Sequence, residues 1–447
     1  MSTSADSHVA SPRFERVPVV SLADEVIHVR LTGLAPGSVV TIRSRLTDEF
    51  GGEWESATSF TADELGAVDL SAQAPSSGSY DGVEPMGFLW SMTPVGDESG
   101  TRAIRKSTVA PDTFVLTAEQ HGTSIAETRL TRLVAAPGVK RTEVRDDGLF
   151  GTLFTPPDDG PHPTIMLLSG SGGGLSEAQA ALYASRGYGA LALAYFRAGH
   201  LPQTLQRIPL EYFERAIAWL QDRPEIDADR LAVGGTSRGG ELCLLLGSRY
   251  PQFKAVVARV PSAVVYGGIG SDTAHQEPAW TYRGEGIPFL HSRPNRLPEY
   301  ETTDGSGFAL TPIFLKSLED HEQVRQATIP VEKINGPVLA ISGKVDAMWP
   351  SSVYSDMVME RLAEHMHPYA YEHVACEGTG HNVGQPWWPT TVTDSIHPVT
   401  KTYFAQGGEP KRSANEQARA WARTITFLDE YLKGAPVREP VLGGDGG

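Results

Sequence analysis

Cysteine is almost missing from this chain: among 447 residues only Cys243 and Cys376 carry a thiol. Two thiols so far apart in sequence make neither a disulfide framework nor, alone, a metal site. The H-E-x-x-H and C-x-x-C signatures are missing as well, so neither a metal nor another cofactor is expected. Concentrated positive charge is also lacking. The formal net charge is −16, with no run of Lys and Arg to offset it. Such a field repels nucleic acid and anionic membrane surfaces at long range, although a few local Arg or Lys residues can still receive a small anion. No stretch approaches the roughly 18 apolar residues of a membrane span. The start, MSTSADSHVASPRFERVPVV, holds no apolar core of secretory-signal length. The expectation is a cytoplasmic monomer or homodimer acting on a small molecule.

What is present is ordinary globular composition, 40% hydrophobic and 21% charged, in a chain long enough for two domains. The pattern changes near residue 140. Before it, over 15–140, short alternating runs such as VIHVRL (26–31) and SVVTIRSRL (38–46) are separated by the turn signals APGS, FGGE and SSGSYDG. Period-two runs about every ten residues predict an antiparallel β-sandwich. From 141 to 435 apolar strands alternate with helices: PTIMLLSG, GALALAYF, RLAVGG, AVVARVP, PVLAISG and YAYEHVA, with helical segments such as LEYFERAIAWLQDRP, ELCLLLGSRY and NEQARAWARTITFLDEYL between or after them. Continuous apolar strands alternating with helices predict an α/β domain with a mainly parallel, doubly wound sheet. Residues 262–330 break the pattern and read as a lid-like insertion. The ends, 1–14 and 436–447, read as flexible.

Gly235-Thr236-Ser237-Arg238-Gly239 has the form G-x-S-x-G. That pattern is weak alone, but here a strand precedes it and a helix follows, which is the context of a nucleophile elbow. Ser237 is the candidate nucleophile. An oxyanion hole needs two backbone N–H groups. Arg238 supplies one, and Ser171 or Gly172 in the glycine-rich turn Ser169-Gly170-Ser171-Gly172-Gly173-Gly174 is the candidate for the other. That turn lacks the G-K-[ST] ending of a phosphate loop. With the order Ser, acid, His, Asp346 follows the strand PVLAISG and outranks Asp320 and Asp356, whose surroundings look helical. His381, in the small-residue loop Glu377-Gly378-Thr379-Gly380-His381, is taken as the histidine past the last strand and hence the base. His373 reads as packed within a strand, His200 as a surface residue, and His365 and His367 as exposed helix-end residues. Both cysteines read as small buried apolar residues.

At these residues the chain resembles the family of acyl-CoA thioesterases and bile acid-CoA:amino acid N-acyltransferases. The segments that carry the likeness are Ala62-Asp63-Glu64-Leu65-Gly66-Ala67-Val68-Asp69-Leu70, Pro85-Met86-Gly87-Phe88-Leu89-Trp90-Ser91-Met92, SGSGGGL, LALAYF, LEYFERA, GTSRGGELCL and GGEP, all in order. The resemblance implies an immunoglobulin-like sandwich before an α/β-hydrolase domain, and a triad of Ser237, Asp346 and His381. It also implies hydrolysis of acyl-CoA-type thioesters, because members with Ser rather than Cys at the nucleophile tend toward water as acceptor. An esterase, or an acyltransferase with another acceptor, is the alternative on the same triad. Asp346-Ala347-Met348-Trp349-Pro350 looks more like dienelactone-hydrolase relatives, and GGDGG differs from a Ser-Lys-Leu address. Both departures point to a bacterial-type branch with its own substrate.

Overall fold

The computed structural model describes residues 11–15, 17–96, 104, 106–270, 276–291 and 307–434. Of the expected flexible ends, 1–10 and 436–447 lie outside the described residues, as do 271–275 and 292–306 of the expected insertion. No helix among the described residues is long and apolar enough to cross a membrane.

The amino-terminal part is built of β-strands apart from one short helix, Gly87–Trp90. Alternation in Val39–Thr47 and Glu53–Thr61 turns Val40, Ile42, Leu46, Trp54 and Phe60 inward, where they share one core with Leu31 and Val68 of a second, three-stranded sheet. Of the run 26–31, only Arg30 and Leu31 enter a ladder, in the strand Arg30–Thr32. Ile27 and Val29 are buried in the same core, but the Ile27 N–H turns to Met86 Sδ. Apolar side chains can thus be anchored by a loop as well as by a strand.

The second domain is built on one eight-stranded sheet: β1 (Lys140–Val144), β2 (Phe150–Thr155), β3 (His162–Leu168), β4 (Gly189–Ala194), β5 (Ile226–Thr236), β6 (Phe253–Arg259), β7 (Val338–Gly343) and β8 (Tyr371–Cys376). Their order is β1-β2-β4-β3-β5-β6-β7-β8. The first two pairings are antiparallel and the rest parallel, which is the α/β-hydrolase arrangement. Every residue of β3 is buried, because both faces of the sheet are covered. Met166 and Leu168 face the core under α2 (Glu211–Gln221) and α4 (Ser351–Glu364). Ile165 and Leu167 face the core under α1 (Glu177–Ser185) and α5 (Pro410–Tyr431). From β3 the chain runs to β4 on one side and later to β5 on the other. The loops leaving β3 and β5 therefore splay apart at a switch point, where open α/β sheets place their sites.

The two domains meet on Asp24. Its carboxylate, 3% exposed, accepts from Arg186 Nε (2.8 Å) and Nη2 (2.5 Å) and from Trp421 Nε1 (2.8 Å). That pairing holds the Arg186 guanidinium above its ordinary pKa. Asp24→Ala leaves a half-buried cation and an indole N–H without their acceptor. A loss of about 2–3 kcal/mol in urea unfolding is expected; a change within about 0.5 kcal/mol would show that the pair contributes nothing net.

Candidate active site

Ser237 sits between β5 and α3 (Arg238–Arg249) with φ 59 and ψ −121, a conformation non-glycine residues rarely adopt. The turn is tight enough to explain both flanking glycines. A Cβ on Gly235 would lie 2.0 Å from the Gly239 carbonyl oxygen, and one on Gly239 2.4 Å from that of Leu168. The strain lifts the Ser237 side chain off the end of the sheet, toward the loop after β8. There His381 Nε2 lies 3.0 Å from Ser237 Oγ, and His381 Nδ1 lies 2.9 Å from Asp346 Oδ2.

Asp346 is itself held. Oδ1 accepts from the N–H groups of Met348 (2.9 Å) and Trp349 (3.2 Å), and Oδ2 accepts from Ser351 Oγ (2.6 Å). An ionised carboxylate only accepts, so His381 carries its proton on Nδ1 and turns the lone pair of Nε2 to the serine hydroxyl. His381 N–H donates to the Gln406 carbonyl at 2.8 Å, and the Trp349 ring stands edge-on to the imidazole. The arrangement can take a proton from Ser237 and hold the imidazolium that results.

Ser171 and Arg238 line the same cavity as Ser237; Gly172 is not among the lining residues, and its carbonyl accepts from Arg197 Nη1 at 2.8 Å. The Arg238 N–H, first in its helix, has no intrahelical acceptor by position. The loop after β3 is pinned by Tyr195 Oη donating to the Ser169 carbonyl (2.6 Å) and by the Gly173 N–H to the Gly170 carbonyl (3.0 Å).

Two family models match the chain: "Acyl-CoA thioester hydrolase/BAAT N-terminal region" over residues 24–146 and "BAAT / Acyl-CoA thioester hydrolase C terminal" over 208–434. Human mitochondrial acyl-coenzyme A thioesterase 2 is 33% identical over 416 residues, spanning 92% of this chain and 82% of the relative. This chain belongs to the acyl-CoA thioester hydrolase/BAAT family. Human acyl-coenzyme A thioesterase 1 is likewise 33% identical, over 92% of this chain and 94% of its own. The mouse peroxisomal succinyl-coenzyme A thioesterase is 30% identical over the same shares.

In this family member the cavity beside Ser237 measures about 150 Å³. Its apolar wall includes Ile269, Leu310, Ile313, Phe314, Met348 and Trp349. Four of these come from the expected insertion, which is tied to the acid loop: Leu310 N–H donates to the Ala347 carbonyl (2.8 Å) and Thr311 Oγ1 to that of Asp346 (2.7 Å). The floor is ionic. Arg238 Nη1 meets Glu241 Oε2 at 3.0 Å with both side chains buried, and Trp280 Nε1 donates to Glu241 Oε1 at 2.8 Å.

The other histidines and acids sort by contact. Asp320 caps a short helix through the Gln323 N–H, and the exposed Asp356 pairs with His373, which also meets Ser342 Oγ. His200 is exposed against the Gly148 carbonyl. His367, expected at an exposed helix end, is instead buried, with Nε2 on the Gly336 carbonyl; the chain folds back there into β8 and covers it. Both cysteines are buried and burial pushes their thiols up, Cys376 to about 12, which disfavours the thiolate.

A second histidine past the last strand escaped the sequence reading. His397 lies between the two strands of a small hairpin, Asp394–Ile396 and Tyr403–Ala405, and lines the cavity. The only sequence signal is its position after β8, shared with His381. Burial, aided by the charges of Arg197 and Lys401, lowers its pKa from 6.5 to about 4. The unfolded chain therefore binds a proton near pH 6.5 that the folded protein refuses. Stability from His397 is full above pH 6.5 and falls as pH drops toward 4, by about 2–3 kcal/mol at pH 4.5. Urea unfolding at pH 7 and 4.5 should show His397→Gln losing less between the two than the wild type. Parallel losses would contradict the assignment.

Proposed function

We propose that this protein hydrolyses acyl-CoA-type thioesters through an acyl-Ser237 intermediate. The observation that carries the reading is the unbroken chain Asp346–His381–Ser237 opening on an apolar cavity in a member of this family. Ser237 attacks the thioester carbonyl while His381 takes its proton, and Asp346 holds the tautomer and balances the imidazolium. The N–H of Arg238 and that of Ser171 stabilise the oxyanion; one such donor is worth on the order of 3 kcal/mol. The tetrahedral intermediate expels the thiolate, which His381 protonates. Water, deprotonated by His381, then releases the acid. A thiolate leaves more readily than an amine or alkoxide, so the general acid has little to do.

The cavity volume supports a short acyl group, since about 150 Å³ holds a molecule the size of benzene. The mouse relative named for succinyl-CoA is in keeping with a small acid. A panel from acetyl- to palmitoyl-CoA, with p-nitrophenyl esters and with glycine and taurine as acceptors, tests the reading. The highest kcat/KM is expected on a short acyl-CoA, with free acid as product. Good ester turnover without CoA release, or an N-acyl amino acid as main product, would overturn it.

A further inference from the structure

His397 has only one arrangement of its ring proton. Its Nδ1 accepts from two backbone N–H groups, those of Val399 and Thr400, each at 3.2 Å. An N–H cannot face another N–H, so Nδ1 is the unprotonated nitrogen and the neutral ring carries its hydrogen on Nε2. That Nε2–H points at Ser171 Oγ, 2.8 Å away. Ser171 must therefore accept from His397, which leaves its own hydroxyl hydrogen for a different acceptor.

The position of that hydrogen matters because of what surrounds it. Ser171 and His397 both line the cavity with Ser237 and Arg238. The preceding residue presses on the nucleophile: a Cβ at Gly170 would lie 3.2 Å from Ser237 Cβ. The loop itself is fixed from behind by Tyr195 and Arg197. His397 is immobilised as well, its N–H bonded to the Thr402 carbonyl at 2.8 Å and its ring edge-on to Phe404. The turn is thus a preset relay: backbone N–H to Nδ1, Nε2–H to Ser171 Oγ, Ser171 O–H into the cavity.

Resting on the proposed acyl transfer, we infer that the Ser171 hydroxyl is a third donor to the carbonyl oxygen of the substrate, aimed by His397. As negative charge develops on that oxygen, the Ser171 O–H donates to it beside the two backbone N–H groups, and no proton is transferred. Ser171 is a catalytic residue in this role and His397 a positioning residue. The ionisation of His397 agrees with it: the buried ring, near the cations Arg197 and Lys401, stays neutral above about pH 5 and keeps the acceptor at Nδ1.

Steady-state kinetics on the best acyl-CoA with Ser171→Ala, Ser171→Thr, His397→Leu and the Ser171→Ala/His397→Leu double variant tests this. Ser171→Ala should lower kcat about 10- to 100-fold with KM changed less than about 3-fold. Ser171→Thr should recover most of that loss, since it keeps the hydroxyl. His397→Leu should lower kcat by a smaller factor, and the double variant should be no slower than Ser171→Ala alone. Equal losses in the Ala and Thr variants, or an effect on melting temperature with kcat unchanged, would overturn the inference. If His397→Leu does not fold, the Ala and Thr pair still decides. Failure of the acyl-Ser237 reading would show differently, as a Ser237→Ala protein with wild-type turnover.

Discussion

Ser237→Ala is expected to lower kcat/KM on any acyl-CoA substrate by about 10⁴- to 10⁶-fold while the protein stays folded. The size follows from the geometry. The Ser237 Oγ to His381 Nε2 contact of 3.0 Å lets the imidazole take the proton, and the resulting imidazolium is held by a carboxylate that accepts four hydrogen bonds, one of them from His381. Without the hydroxyl, the base has nothing to activate except water, held at no defined distance from the carbonyl. The backbone donors and the cavity remain, so turnover above the uncatalysed rate survives. The fold should hardly notice, because Ala keeps the Cβ and, among the described residues, Ser237 Oγ bonds only to His381. Circular dichroism beside the kinetics separates the two. A variant that retains even a tenth of the activity would remove Ser237 as nucleophile.

The second large effect is on stability. Glu241→Ala is expected to cost about 3–5 kcal/mol in urea unfolding, the usual consequence of breaking one side of a buried ion pair. Arg238 and Glu241 are 5% and 0% exposed, so the orphaned guanidinium has no water to turn to. Trp280 Nε1 and the Tyr266 N–H lose their acceptor at the same time. Burial raises the Glu241 carboxyl above its ordinary range, against the pull of Arg238, so the ion pair is maintained by these contacts rather than by solvent. Because Arg238 also starts α3 and lines the cavity, kcat should fall with stability. A loss below about 1 kcal/mol would mean that the interior around Arg238 tolerates an unpaired cation.

Sequence order and local pattern were enough for the central features of this site. The continuous apolar runs before Ser169, Ser237 and Lys344 are buried strands, and a serine between a strand and a helix with glycines two residues either side needs the strained turn found at Ser237. What escaped is held by contacts without a local signature. Ser171 and His397 are 226 residues apart and meet only because a two-stranded hairpin folds back over the loop after β3. Within its described residues the insertion is organised by single bridges, such as Tyr266 with Leu290 and Phe308 with Phe404, and by strands of only two or three residues, Trp280–Tyr282 and Glu285–Gly286, too short for a readable period. His367 looked exposed because it follows a helix end, and its burial depends on where the next strand begins. Of Ser171 and Gly172, both open as oxyanion donors from the sequence, only the first lines the cavity.

The most direct test of acyl transfer through Ser237 is a single-turnover reaction with a short acyl-CoA, quenched in acid and read by intact mass and peptide mapping. One equivalent of CoA thiol is expected ahead of free acid, with an acyl adduct on the Ser237 peptide that is absent from Ser237→Ala. Release of thiol and acid together, with no adduct on Ser237 at any time and no loss of rate in Ser237→Ala, would contradict it.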